Sequence, residues 1–135
     1  MAMADRRAEA ARLDDARLGT LEARIDLDLA DGRHATLTAE LDALVTDHPH
    51  RERLRAQQML ALYRSGRQAD ALAAYRAARE ALVEGLGIEP GEELRALERS
   101  VLEQDPALAA PATRPAPARD RRSWRVIAIV GLATV

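Results

Sequence analysis

Cysteine is absent from the 135 residues, so neither a disulfide nor a thiolate-ligated metal can form, and a reducing compartment suits the chain. Phenylalanine is absent too, and Ala and Leu supply most of the apolar content. Lysine is also missing: all 20 cationic residues are Arg, which removes the amine base that many active sites use. No G-x-S-x-G turn occurs, and Gly85, Gly87 and Gly91 do not sit between a strand and a helix as a phosphate-cradling loop requires. The carboxylates fall at i, i+3 and i+4 from Arg, which is ordinary pairing on helix surfaces. The chain therefore reads as a non-enzyme that needs no cofactor. Met1 to Asp15 is polar and charged, so no secretory leader is expected.

What the chain does contain is helix. Ala, Leu, Arg and Glu are strong helix formers, and two stretches repeat one helical hairpin at an offset of 34 residues. Asp31-Gly32-Arg33 with Leu37, Leu41, Leu44 and Pro49 aligns with Ser65-Gly66-Arg67 with Ala71, Tyr75 and Ala78. In each copy a Gly ends one amphipathic helix, and the next presents residues at i, i+4 and i+7 on a single face. That period, with a Gly turn, small packing residues and a closing Pro, is the tetratricopeptide pattern. A unit of this kind buries its apolar face only by stacking on a neighbour, and it makes surfaces more readily than catalytic pockets.

The spacing predicts an all-α fold of about five antiparallel helices in a short solenoid. The first runs from Arg6 to Ala30, with Leu18, Leu21, Ile25 and Leu29 inward and Gly32 past its end. The second covers Ala35 to Thr46, stopping before Pro49. The third spans Arg51 to Arg64 with Leu54, Met59, Leu62 and Tyr63 inward. The fourth spans Gln68 to Glu84 with Leu72, Tyr75, Ala78 and Leu82 inward, and Gly85 and Gly87 break it. The fifth starts with Pro90 in its first turn, carries Glu92 and Glu93 at its positive end, buries Leu94, Leu97 and Val101, and closes at Asp105-Pro106. Ala71 and Ala78 are small so that two backbones can approach.

Three segments follow: a helical domain over 1–108, a Pro/Ala/Arg-rich extended linker over 109–123, and an apolar tail over 124–135. Residues 111–125 hold five Arg against one Asp, a net +4, which leaves −6 for residues 1–110 out of the chain's −2. An acidic body is a poor partner for phosphate backbones, so direct nucleic-acid binding is not expected. Arg121-Arg122-Ser123-Trp124-Arg125 followed by the uncharged run Val126 to Val135 has the form in which a membrane span begins, and equally that of a strand of a further domain. The chain is thus expected in the cytoplasm, with membrane contact through the C-terminal tail if that run is a membrane helix.

Longer motifs carry a resemblance. Asp31-Gly32-Arg33-His34 through His48-Pro49, Arg51-Glu52-Arg53-Leu54-Arg55, and Ala61-Leu62-Tyr63-Arg64-Ser65-Gly66-Arg67-Gln68-Ala69-Asp70-Ala71-Leu72 with Tyr75 and Arg79 resemble the bacterial transcriptional activator domain. Leu86-Gly87-Ile88-Glu89-Pro90-Gly91, Leu94-Arg95-Ala96-Leu97-Glu98 and Gln104-Asp105-Pro106 extend the match over roughly residues 10 to 108. In antibiotic-regulatory activators of that kind, the tetratricopeptide-like module follows a winged-helix DNA-binding domain and mediates self-association and contacts within the transcription apparatus. The resemblance implies a protein-interaction or oligomerisation module of a transcriptional regulator, whose partner is itself or the transcription apparatus. DNA contact would come from a domain outside this chain. By that likeness the module is expected to be truncated at its N-terminus and to lack the winged helix. A membrane-tethered helical adaptor, or the cytosolic part of a larger sensor, is the alternative. Gly85 departs from the pattern, standing where an acidic residue is usual, and is expected to fray the fourth helix.

Carried over by motif position, the concave face of the stack would include Glu22, Asp26, Arg53, Ala56, Leu60, Tyr63 and Arg64, a groove for a partner peptide or helix. Arg64 and Arg67, flanking the Gly turn, suit helix C-termini. Asp47-His48-Pro49-His50 offers two imidazoles but no third and fourth ligand, so no metal site is assigned.

Overall fold

The computed structural model describes residues 2–111, which form five α-helices and one short 3₁₀ turn. Helix α1 is Ala2–Ala30, α2 His34–Asp47, α3 Glu52–Arg64, α4 Gln68–Leu86 and α5 Glu92–Glu103; the 3₁₀ turn is Pro106–Leu108. The linker beyond residue 111 and the apolar tail 124–135 lie outside the described residues. None of the described helices is long and apolar enough to cross a membrane.

The two Gly turns are built alike. Gly32 and Gly66 both take φ of 76°, a left-handed conformation that costs an L-residue with a Cβ. In the first turn Arg33 N–H donates to Asp28 O at 2.9 Å and Gly32 N–H to Leu29 O at 3.0 Å. In the second, Arg67 N–H donates to Leu62 O at 2.9 Å and Gly66 N–H to Tyr63 O at 3.0 Å. These bonds satisfy carbonyls that a helix end leaves unpaired and reverse the chain into the next helix. The same pair of bonds ends α5, with Gln104 (φ 52°) in the role that Gly holds elsewhere.

Helix α3 is the hub and touches every other helix, most extensively its sequence neighbours α2 and α4. Between α1, α2 and α3 lies one apolar cluster: Ile25, Leu29, Leu37, Leu41, Val45, Leu54 and Ala61. A second, of Ala56, Met59, Tyr75, Ala78, Leu82 and Leu94, joins α3, α4 and α5, and Leu62, Ala71 and Val101 extend it. Leu41 and Ala71 are fully buried and Tyr75 nearly so, as the repeat requires. Leu18, Leu21, Leu44, Tyr63, Leu72 and Leu97, expected inward, are only partly covered.

Three boundaries differ from the sequence reading, each for a physical reason. Helix α1 begins at Ala2 and not at Arg6, since nothing in this Ala- and Arg-rich start opposes helix. Helix α4 does not stop at Glu84; it continues through Gly85 to Leu86, and Gly87 in the left-handed region ends it. Gly85 does not fray the helix; its missing Cβ leaves room for the His50 ring, since a Cβ built there would come 2.2 Å from His50 Nε2. Pro90 is not in the first turn of α5; it is buried one residue before the N-cap Gly91. The Glu52 carboxylate accepts the Gly91 N–H at 2.7 Å and holds Gly91 extended, so helix begins only at Glu92.

Candidate partner-binding groove

Helices α1, α3 and α5 share one face of the stack, and a cavity of about 330 Å³ opens between them. Helix α3 contributes Arg53, Ala56, Gln57 and Leu60, spaced i, i+3, i+4 and i+7 on one face. Helix α5 repeats that spacing with Glu93, Ala96, Leu97 and Ser100, and α1 adds Asp26 and Leu29. The floor is aliphatic, while charge is confined to one end.

At that end Arg53 bridges the two walls. Its guanidinium donates to Asp26 of α1 and, through Nη1 at 2.8 Å, to Glu93 of α5. The bond to Asp26 outweighs partial burial and raises the Arg53 pKa, so the guanidinium stays charged. Gln57 Nε2 reinforces the α1 wall, donating to Asp26 Oδ1 at 2.7 Å and to the Glu22 carbonyl at 2.8 Å. Because these bonds run between helices, they set the width of the groove.

Arg64 lies outside the cavity lining and ties helix ends together. Its Nη1 donates to Leu29 O, near the end of α1, at 2.8 Å, and its Nε to Leu108 O at 2.9 Å. Burial lowers the Arg64 pKa, since charge is costly to desolvate. Arg64 thus takes a helix-end role, on α1, whereas Arg67, at the N-cap of α4, bonds Asp70 in that helix's first turn at 2.7 Å.

Of the seven residues assigned to the concave face, Asp26, Arg53, Ala56 and Leu60 line the cavity. Glu22 does not: it is buried and accepts from Arg51 Nε at 3.1 Å and Nη2 at 2.7 Å. Tyr63 packs beside the Leu62–Ala71–Val101 cluster, and Arg64 serves the helix ends. Sequence reasoning missed Leu29 and Gln57 and the whole α5 wall; the i, i+3, i+4, i+7 match between Arg53–Leu60 and Glu93–Ser100 was the available signal. Among the described residues no group of three or more His, Asp or Glu is placed to hold a metal, and the His50 ring is directed at Gly85.

Comparison with known proteins places this geometry in a family. The sequence profile of the bacterial transcriptional activator domain matches residues 2–102. The chain is 53% identical over 106 residues to the regulatory protein AfsR of Streptomyces griseus, covering 78% of this chain and 11% of AfsR. It is 50% identical over 100 residues to the regulatory protein DnrI of Streptomyces peucetius, covering 74% of this chain and 37% of DnrI. Among solved structures, Mycobacterium tuberculosis EmbR in complex with a low-affinity phosphopeptide superimposes with a TM-score of 0.71 at 42% identity, over 72% of this chain and 26% of that one. The chain therefore spans a minor part of each of these relatives.

Proposed function

This chain belongs to the bacterial transcriptional activator domain family, and from that membership we propose that it is the non-catalytic interaction module of a transcriptional regulator. DNA contact is supplied by a different domain, and the α1–α3–α5 groove receives an extended or helical segment of a protein partner. One observation carries this reading: a cavity floored by Leu29, Ala56, Leu60, Ala96 and Leu97, the last three only partly covered, has an Asp26–Arg53–Glu93 bridge at one end. Apolar floors with a few fixed polar groups favour binding with a defined orientation. The relatives AfsR, DnrI and EmbR are regulators, which supports a regulatory role over a catalytic one. The folded module closes at Leu108, where Arg64 holds the last turn, and residues 109–123 act as its linker.

A one-hybrid assay tests the reading. The chain is fused to a heterologous DNA-binding domain and a promoter reporter is measured beside Ala96→Arg and Ser100→Arg variants, whose long side chains fill the groove from α5. The expected result is reporter output above that of the DNA-binding domain alone, lost in both variants while their circular dichroism stays unchanged. Output equal in the variants and the parent would refute a role for the groove.

A further inference from the structure

The charged end of the α1–α3–α5 groove carries more acceptors than donors. Asp26 and Glu93 share the one guanidinium of Arg53, which leaves an excess of one negative charge. Arg53 takes only Oε1 of Glu93, whose side chain is 65% exposed, and Oε2 has no partner among the described residues. The other cations along these helices are committed elsewhere: Arg51 bonds Glu22 and Asp15, and Arg95 and Arg99 both pair with Glu92. Beside the acids stands an acceptor that is buried as well as unpartnered. Gln57 lines the cavity, is 3% exposed, and donates from Nε2 to Asp26 Oδ1 and to the Glu22 carbonyl. A carboxylate and a carbonyl only accept, so the amide cannot be turned over and its Oε1 is fixed on the other arm. Among the described residues nothing donates to that oxygen. A buried acceptor without a donor is costly, and a ligand that brings one recovers the cost.

We propose that the groove selects an extended partner segment that sets an Arg side chain at the Asp26–Glu93 end and small aliphatic side chains along the floor. The choice of occupant rests on the groove being a binding site, as proposed above. A guanidinium brings the positive charge that this end lacks. Its planar fork of five N–H donors serves Glu93 Oε2, the remaining lone pairs of Asp26 and Gln57 Oε1 together. An acidic segment meets the excess negative charge at the same place and is rejected. From Glu93 to Ser100 the α5 wall runs about 10 Å at 1.5 Å per residue, which matches about three residues of extended chain. The apolar part of the segment is therefore short, and the cation decides which way it lies.

The test pans a phage library of random heptapeptides against the full 135-residue chain, with Ala96→Phe, a neutral plug of the groove, as the counter-target. The expected result is a set of peptides that bind the chain, fail on Ala96→Phe and carry Arg close to Ala, Val or Leu. One such peptide is then labelled for fluorescence anisotropy. Citrulline in place of its Arg, which keeps the shape without the charge, should weaken binding roughly tenfold or more. Glu93→Gln should weaken it about fivefold. Glu80→Gln on α4, an equal change of net charge on a helix that does not line the groove, should leave it unchanged. Glu93 and Glu80 are both exposed, so the thermal melts of these variants should match the parent. Groove-dependent peptides with no basic residue, equal binding of the Arg and citrulline forms, or equal losses in Glu93→Gln and Glu80→Gln would each overturn the Arg preference and leave the groove standing as a binding site. If no selected peptide distinguishes the chain from Ala96→Phe, the groove itself fails as a peptide site, and the Arg preference with it.

Discussion

The contact between His50 and Gly85 gives a quantitative test of the stack. A Cβ at residue 85 would lie 2.2 Å from His50 Nε2, 2.8 Å from Cε1 and 3.3 Å from Cδ2, all closer than ordinary contact. His50 is exposed and the clashing atoms are the far end of its side chain, so the ring can swing away at the loss of its packing. Against that loss stands the helix preference of Ala over Gly, about 0.5–1 kcal/mol, with the lower figure fitting a position near the end of α4. Gly85→Ala alone should therefore change stability little, within about 0.5 kcal/mol, because the two effects oppose one another. In a His50→Ala background only the gain is left, and the same substitution should stabilise by about 0.5–1 kcal/mol. At roughly 4–8 °C per kcal/mol for a domain of this size, the melting midpoint should rise about 2–8 °C. Circular dichroism melts at 222 nm on the four chains of the cycle measure the coupling directly. A Gly85→Ala effect equal in both backgrounds would show that the ring does not occupy that space.

Other substitutions probe the remaining joints. Ala71→Leu, at a fully buried contact with Leu62 and Val101, should overpack the α3–α4–α5 junction and cost about 1–3 kcal/mol in a thermal melt. Gln104→Gly should stabilise by about 0.5–1 kcal/mol in the same assay, since Gln104 holds a left-handed φ of 52° at the end of α5, offset by its exposed bond to Gln68. Arg64→Ala removes two bonds to carbonyls; hydrogen exchange at Leu108 and Ala109 should accelerate and stability should fall by about 1.5–3 kcal/mol. Glu89 is held below the usual carboxylate range by its bonds from Arg79 at 2.8 and 3.0 Å. Its contribution is therefore present above the ordinary Glu range and fades as pH falls through the lowered value. In Arg79→Ala an NMR titration should find the Glu89 carboxyl moved up.

The parts of the fold legible in the sequence are those set by local chemistry. Gly32 and Gly66 announce their turns because a left-handed residue must end each helix, and the i, i+4, i+7 runs fix which side of each helix is buried. What stayed hidden depends on residues far apart in the chain. The Gly91 position is fixed by Glu52, 39 residues earlier, so no local rule displaces Pro90 from the first turn of α5. Gly85 looks like a helix breaker until His50 is seen against it. In the groove, Arg53, Ala56 and Leu60 of α3 line the cavity, yet its α5 wall was not foreseen because helix packing, not spacing alone, brings Glu93 and Ala96 opposite them.

A core built from aliphatic side chains with two tyrosines specifies burial more strongly than register. The hub helix answers this with polar residues in its buried middle. Arg55 donates to Pro49 O at 3.0 Å, anchoring the loop that enters α3, while Gln57 grips α1 and Gln58 grips α2. All three are less than a tenth exposed. Sliding α3 by one turn would set a polar residue such as Gln57 or Gln58 in the place of Leu54, and would also strand each of these donors, at about 1–3 kcal/mol apiece. Buried hydrogen bonds and the apolar pattern thus fix the same register together. The groove inherits its shape from that choice, since Arg53 can span Asp26 and Glu93 only when α1, α3 and α5 are aligned at that level.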